Sequence, residues 1–99
     1  MSEARVEAIV DRIHTQMGAM ESTLADLGAV RGTASNGDGS VVARVDSTGA
    51  LAGLTLAESV TRRDAQAVAA EILAVAHEAA RRAAAERVRL FDSLRQSLR

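Results

Sequence analysis

Apolar residues in the first 28 positions recur at alternating spacings of four and three. This is the a/d repeat of a helix that packs along a narrow seam against another helix. It predicts a helix over residues 3–28, with Gly28 just past the seam as a C-terminal glycine cap. The seam consists of Val6, Val10, Ile13, Met17, Met20, Leu24 and Leu27.

The pattern changes after residue 28, where glycine and β-branched residues replace the helical spacing. Side chains alternate in character over 40–46, as in a half-buried strand. The segments 36–39 and 47–49 have turn composition, and we expect Gly37 or Gly39 to adopt positive φ. Strands are therefore predicted at 30–35, 40–46 and 50–56, joined as an antiparallel meander.

A second, alanine-rich helix is predicted over residues 62–97, with Thr61 as its N-cap and Asp64 at the third helical position. Its alanine face permits close approach of another backbone. At about 1.5 Å per residue it would be roughly 54 Å long, far more than the roughly 10–15 Å width of three strands. Part of it must project and needs a partner. The expected fold is α+β, with a single domain over residues 1–99.

Few large apolar side chains are available for a core. Of the 47% of residues that are hydrophobic, 21 are alanines, and Phe91 is the single aromatic residue. A chain of this size buries a limited core even when it is well supplied. A second copy of the chain is the simplest source of further burial, so the seam is predicted to be a homodimer interface. Pairing of the seam with the second helix of the same chain stays open as the alternative.

The sequence offers no catalytic constellation, metal site or cofactor site. It has no cysteine, which removes thiolate chemistry and cysteine-based metal sites. The segment from His77 begins like a helical zinc motif, but Arg81 stands where the second histidine is required. Neither a signal peptide nor a membrane-spanning run is visible. These features predict a cytoplasmic protein that is not an enzyme and does not associate with a membrane.

Charge is distributed unevenly along the chain. The net charge is −1, but residues 1–28 carry −3, whereas residues 81–99 carry six arginines and two acids, a net charge of +4. Such a basic segment can contact phosphates, although arginines on long helices are more often a solvated face. The candidate DNA-binding residues are Arg81, Arg82, Arg87, Arg89 and Arg95.

The order of these elements resembles the YbaB/EbfC family of nucleoid-associated proteins. The resemblance covers roughly residues 20–90 and rests on the order and spacing of several short motifs. They are Val30-Arg31-Gly32, Gly37-x-Gly39, Ala43-x-Val45 followed by Gly49, Leu54-x-Leu56, and the alanine-rich run from Ile72 to Arg82. The all-arginine, alanine-rich composition is similar to that of actinobacterial members.

The resemblance implies an intertwined homodimer with projecting helices that binds double-stranded DNA with little sequence specificity. It also implies a location in the nucleoid and a role in nucleoid organisation or gene expression. This chain departs from the family pattern in having no lysine and an acidic first helix. Some actinobacterial relatives resemble accessories of specialised secretion systems. A protein-interaction or secretion-accessory module is therefore the alternative function.

Overall fold

The computed structural model describes residues 2–99 and confirms the expected α+β fold, with a long helix, three antiparallel strands and a second long helix. The strands lie in the order β1-β2-β3. The predicted ends differ from the observed ones by at most three residues. The elements are α1 (Glu3–Ala29), β1 (Gly32–Ser35), β2 (Val41–Val45), β3 (Leu51–Leu56), a short 3₁₀ helix (Glu58–Arg62) and α2 (Ala65–Ser97).

One face of the sheet packs against α2 and forms the core. Alternation along β1 and β2 turns every second side chain toward the helix. The core consists of small residues, so the two layers approach closely. Its buried members are Val30, Ala34, Val41, Ala43 and Val45 from the β1–β2 region, Val60 from the 3₁₀ helix, and Val68, Val75, Ala79 and Ala83 from α2.

Gly32 is the point of closest approach between the sheet and α2. A Cβ atom placed on Gly32 would lie 2.0 Å from the carbonyl oxygen of Ala79 and 2.9 Å from the backbone nitrogen of Ala83. Ala79 and Ala83 are themselves completely buried. The alanine-rich face of α2 therefore permits the close backbone approach that the sequence predicted, because β1 lies directly on the helix backbone.

The predicted cap of α1 at Gly28 is wrong. The helix continues through Ala29, and the N–H group of Val30 donates to the carbonyl oxygen of Leu27. Arg31 donates from Nη1 to the carbonyl oxygens of Gly28 and Val30, at 3.2 and 2.7 Å. Through its bond to Gly28, a side chain thus satisfies a carbonyl group of the last helical turn, a role that a left-handed glycine motif commonly fills.

The predicted start of α2 is also wrong. Thr61 lies inside the 3₁₀ helix, where its hydroxyl donates to the carbonyl oxygen of Glu58 at 2.7 Å. Asp64 is the N-cap instead, and its carboxylate accepts a hydrogen bond from the N–H group of Ala67 at 3.0 Å. An ionised carboxylate both satisfies a free N–H group and suits the positive end of the helix dipole.

The turn between β1 and β2 depends on Gly39. This residue has φ +77°, whereas Gly37 does not have positive φ, which confirms that one of the two glycines takes the left-handed conformation. Asn36 accepts a hydrogen bond from the N–H group of Gly39 through its carbonyl oxygen, at 3.2 Å. A turn followed by a left-handed residue is a common hairpin connection.

We expect Gly39→Val to lower the free energy of unfolding by more than about 1 kcal/mol, because a β-branched residue resists positive φ. Gly37→Val is the matched control, since neither glycine has an atom within 4 Å of an added Cβ. Urea unfolding followed by circular dichroism measures both variants. Equal midpoints for the two variants would contradict this explanation of the turn.

Both long helices extend beyond the sheet. The buried residues of α2 end at Ala83, although the helix continues to Ser97. The molecule is 76 Å long, whereas the 33 residues of α2 span about 50 Å at 1.5 Å per residue. The remaining length comes from α1, whose last turn lies beside Glu86 and Leu90 of α2.

Candidate nucleic-acid and dimer interfaces

The seam of α1 is exposed along nearly its whole length. Its first six residues, from Val6 to Leu24, are between 42% and 67% exposed, and Leu27 is half-buried. No residue of α1 is buried. Monomeric proteins rarely expose so continuous an apolar stripe, and such a stripe usually marks an interaction surface. The alternative, in which the seam packs against α2 of the same chain, does not describe these six residues.

A second apolar surface lies at the open edge of the sheet. Leu54 and Leu56 pair with Ala43 and Val41 of β2 and share the face that packs on α2. They nevertheless remain 38% and 44% exposed, because α2 packs on β1 and β2 rather than on β3.

The five arginines proposed for DNA binding lie on different sides of α2. Successive residues of an α-helix rotate by about 100°. Arg82 and Arg89 therefore share the side of β1 and α1, and Arg87 faces the turn between β2 and β3. Arg81 and Arg95 lie on a further, strongly exposed side. The structure does not bring the five together in one patch.

Four of these arginines form ion pairs with acids one turn earlier in α2. Arg81 contacts Glu78 at 2.6 Å. Arg89 pairs with Glu86, and Arg95 with Asp92. Hydrogen bonds from Arg81 and from Arg89 hold the pKa values of Glu78 and Glu86, respectively, below their usual range. Glu86 and Asp92 are already counted in the net charge of +4 for residues 81–99, and Glu78 lowers it to +3 for residues 78–99.

Arg82 and Arg87 are fixed by backbone carbonyl groups. Arg82 donates from Nη1 to the carbonyl oxygen of Thr33, and Arg87 donates from Nη1 to that of Ser47, each at 2.9 Å. A carbonyl orients a guanidinium group without neutralising its charge. Arg82 also lies 3.4 Å from Glu78, which is shared with Arg81. Each guanidinium group is thus anchored at one end, and the side chain of Arg82 remains 60% exposed.

A groove of about 550 Å³ lies between the last turn of α1 and the middle of α2. Its lining mixes charges of both signs, so it is not a simple anion pocket. Glu86 is already paired with Arg89, and the guanidinium of Arg31 bonds to the end of α1. The charged residues that line it are Arg31, Arg82, Arg89, Asp26 and Glu86.

Two basic residues outside α2 have positions that the sequence analysis did not recognise. Arg31 closes the end of α1 through its bonds to the carbonyl oxygens of Gly28 and Val30. Arg44 lies on the face of the sheet that points away from α2, and it is exposed. Alternation along β2 is the signal that would have found Arg44, because it places this residue opposite the buried Ala43 and Val45.

Within residues 2–99, no group of three or more histidine or acidic side chains is arranged to hold a metal ion. His14 and His77 are both exposed on helices, and Glu78 is engaged by arginines rather than placed opposite a second histidine. Among residues 2–99, neither α1 nor α2 contains an apolar stretch of the length that a membrane span needs.

Two long helices that project beyond a three-stranded antiparallel sheet place the chain among small α+β domains. The chain is a member of the YbaB/EbfC DNA-binding family, whose model matches residues 3–98. This is a family of nucleoid-associated proteins. No curated protein matches the chain.

Proposed function

We propose that this protein is a non-enzymatic, nucleoid-associated protein that binds double-stranded DNA as a homodimer with little sequence specificity. The observation that carries the proposal is the match to a DNA-binding family over almost the whole chain, residues 3–98. In this role the protein lies in the nucleoid, in the cytoplasm, and affects nucleoid organisation and gene expression. Residues 1–99 act as one domain, and this function requires no cofactor.

Contacts to phosphates, rather than to bases, suit the residues available. The chain has one aromatic residue, Phe91, so it cannot stack a series of bases. Arginines placed around a helix contact the phosphate backbone and carry little sequence information. The proposed contacts are Arg81, Arg82, Arg87, Arg89 and Arg95.

The ion pairs of α2 are compatible with this role. Exposed pairs of this kind contribute only about 0–1 kcal/mol each. A DNA phosphate can therefore take the place of Glu78 beside Arg81, or of Asp92 beside Arg95, at small cost. Because the chain carries a net charge of −1, binding must rely on such local contacts and must weaken steeply as salt rises.

The exposed seam of α1 supports the homodimer. The exposed seam of α1 needs an apolar partner, and an isolated helix is only marginally stable in water. A second chain supplies the partner and doubles the number of arginines on one particle.

We predict that the wild-type protein binds unrelated duplexes with similar affinity, and that log K falls steeply with log salt. Arg81→Ala/Arg82→Ala should bind more weakly and with a shallower slope, because each lost phosphate contact lowers the slope by about 0.9. Titration at low and at physiological salt, with several duplexes, measures both quantities.

Arg5→Ala/Arg12→Ala is the control. It removes the same charge from the acidic first helix and should leave the slope nearly unchanged. Tight binding that Arg81→Ala/Arg82→Ala does not weaken would contradict the proposed location of the contacts.

A protein-interaction or secretion-accessory module is the second candidate function. The exposed leucines of β3 favour it, because Leu51, Leu54 and Leu56 form an apolar edge that a protein partner would cover. Absence of DNA binding even at low salt, together with a specific complex isolated from native lysate, would favour this function over the first.

A further inference from the structure

The outer face of the sheet, opposite α2, carries one basic side chain and no acidic one. The strand register and alternation define this outer face by three pairs of residues: Thr33 and Ser35 of β1, Val42 and Arg44 of β2, and Gly53 and Thr55 of β3. Thr33, Ser35, Arg44 and Thr55 are exposed, and Val42 is half-buried. The face therefore has hydroxyl groups around a central guanidinium group and little apolar surface.

Arg44 lies flat on this face because the residue opposite it is a glycine. Arg44 pairs with Gly53 in the register of β2 and β3. A Cβ atom placed on Gly53 would lie 2.6 Å from Nη2 and 3.0 Å from Nε of Arg44. The Nη1 atom of Arg44 lies 3.5 Å from the hydroxyl oxygen of Thr55. Gly53 thus provides the space in which the guanidinium group rests beside the hydroxyl of Thr55.

The charge of Arg44 is not balanced by a carboxylate. It forms no ion pair among residues 2–99, in contrast to Arg81, Arg89 and Arg95, each of which has an acid one helical turn away. A phosphate that approaches Arg44 therefore has no protein carboxylate to displace. Arginine, serine and threonine side chains are also common donors to phosphate oxygens.

We propose that the outer face of the sheet is a contact surface for the phosphate backbone of nucleic acid, with Arg44 at its centre and Thr33 and Thr55 beside it. This inference rests on the proposed DNA-binding function and adds a site that is separate from the arginines of α2. The charge of the face favours a polyanion. Its lack of large apolar side chains disfavours a protein partner that is held by hydrophobic burial.

The experiment measures binding of one mixed-sequence duplex between about 50 and 200 mM salt by wild type, Arg44→Gln, Arg44→Lys and Gly53→Ala. We expect Arg44→Gln to lower the salt slope by about 0.9 per site, or about 1.8 per dimer. Arg44→Lys should keep most of the slope, since the charge remains. Gly53→Ala should weaken binding several-fold with the charge intact, because the new methyl group displaces the guanidinium group of Arg44 from its position over residue 53.

Arg12→Gln is the matched control, because it removes one exposed arginine from α1 at a position outside the seam. Sedimentation and circular dichroism should show the same assembly and helix content for all variants, since Arg44 is exposed and contributes nothing to the core. Sedimentation that shows altered assembly for Arg44→Gln would place this face in a protein interface and overturn the inference.

The outcomes separate the inference from the proposed function. If Arg44→Gln binds like wild type while Arg81→Ala/Arg82→Ala binds weakly, the outer face is not a DNA contact and the proposed function stands. If Arg12→Gln reduces binding as much as Arg44→Gln, only bulk charge matters and the inference is wrong. If wild type binds no DNA at the lowest salt, the inference and the proposed function both fail.

Discussion

Replacing Gly32 with alanine is expected to destabilise the fold by about 3 kcal/mol or more, and Gly32→Val is expected to prevent folding. The added Cβ atom would lie 2.0 Å from the carbonyl oxygen of Ala79 and 3.0 Å from its carbonyl carbon. These are backbone atoms, so no side chain can move aside to make room. Overpacking of a core commonly costs about 1–3 kcal/mol even where side chains can adjust. The total stability of a domain this small is only about 5–15 kcal/mol.

Two further variants test the cause of this effect. Gly37→Ala adds the same methyl group where no atom lies within 4 Å, and it should leave the midpoint of urea unfolding nearly unchanged. Gly32→Ala/Ala79→Gly should remain as unstable as Gly32→Ala, because the clash is with the carbonyl group of residue 79 and not with its side chain. A stable Gly32→Ala protein would mean that β1 does not lie against the backbone of α2.

The sequence predicted the elements of this fold well because their signals are local. The heptad spacing marks α1, and alternation from Val41 to Val45 marks the buried face of β2. The exact start of α2 was mispredicted because Thr61 and Asp64 are both good N-cap residues. The 3₁₀ helix that engages the Thr61 hydroxyl decides between them, and this short element has no strong sequence pattern.

The role of Gly32 was not predictable in the same way. It depends on contact with residues almost fifty positions away, and nothing in the segment around it distinguishes a close approach from an ordinary flexible position. The sequence showed only that α2 has a face of alanines, without showing which strand lies on it.

For the candidate DNA-binding residues, too, the sequence predicts local contacts but not contacts between distant segments. The ion pairs of Arg81, Arg89 and Arg95 could be predicted, because each arginine follows an acid by three residues on a helix. A count of net charge over residues 81–99 does not reveal that these charges are balanced locally. The packing of the Arg44 guanidinium group over Gly53 depends on the register of β2 and β3. The turn and the alternation restrict this register but do not fix it.

Ile13→Asp is expected to convert the protein from a dimer at micromolar concentration to a monomer. Ile13 is 48% exposed in the single chain and lies in the middle of the seam. In a paired seam it would be buried, and an unpaired carboxylate there would cost several kcal/mol. A two-fold dimer carries the substitution twice, which doubles the cost of association.

The substitution also separates assembly from folding. Ile13 makes no contribution to the core between the sheet and α2, so that core should survive in the monomer. The projecting part of α1 should lose helix content, because an unpaired helix of this length is marginal in water. Sedimentation measures the first effect and circular dichroism the second.

Thr15→Asp is the control for charge and helix propensity. Thr15 lies on the opposite side of α1 from Val6 and Ile13 by the 100° rotation per residue, and it is exposed. Aspartate there adds the same negative charge to the acidic helix, and threonine and aspartate have similar helix propensities. Thr15→Asp should therefore remain a dimer. If both variants dissociate, the added charge rather than the seam is responsible; if wild type itself sediments as a stable monomer, the seam of α1 does not join two copies of this chain.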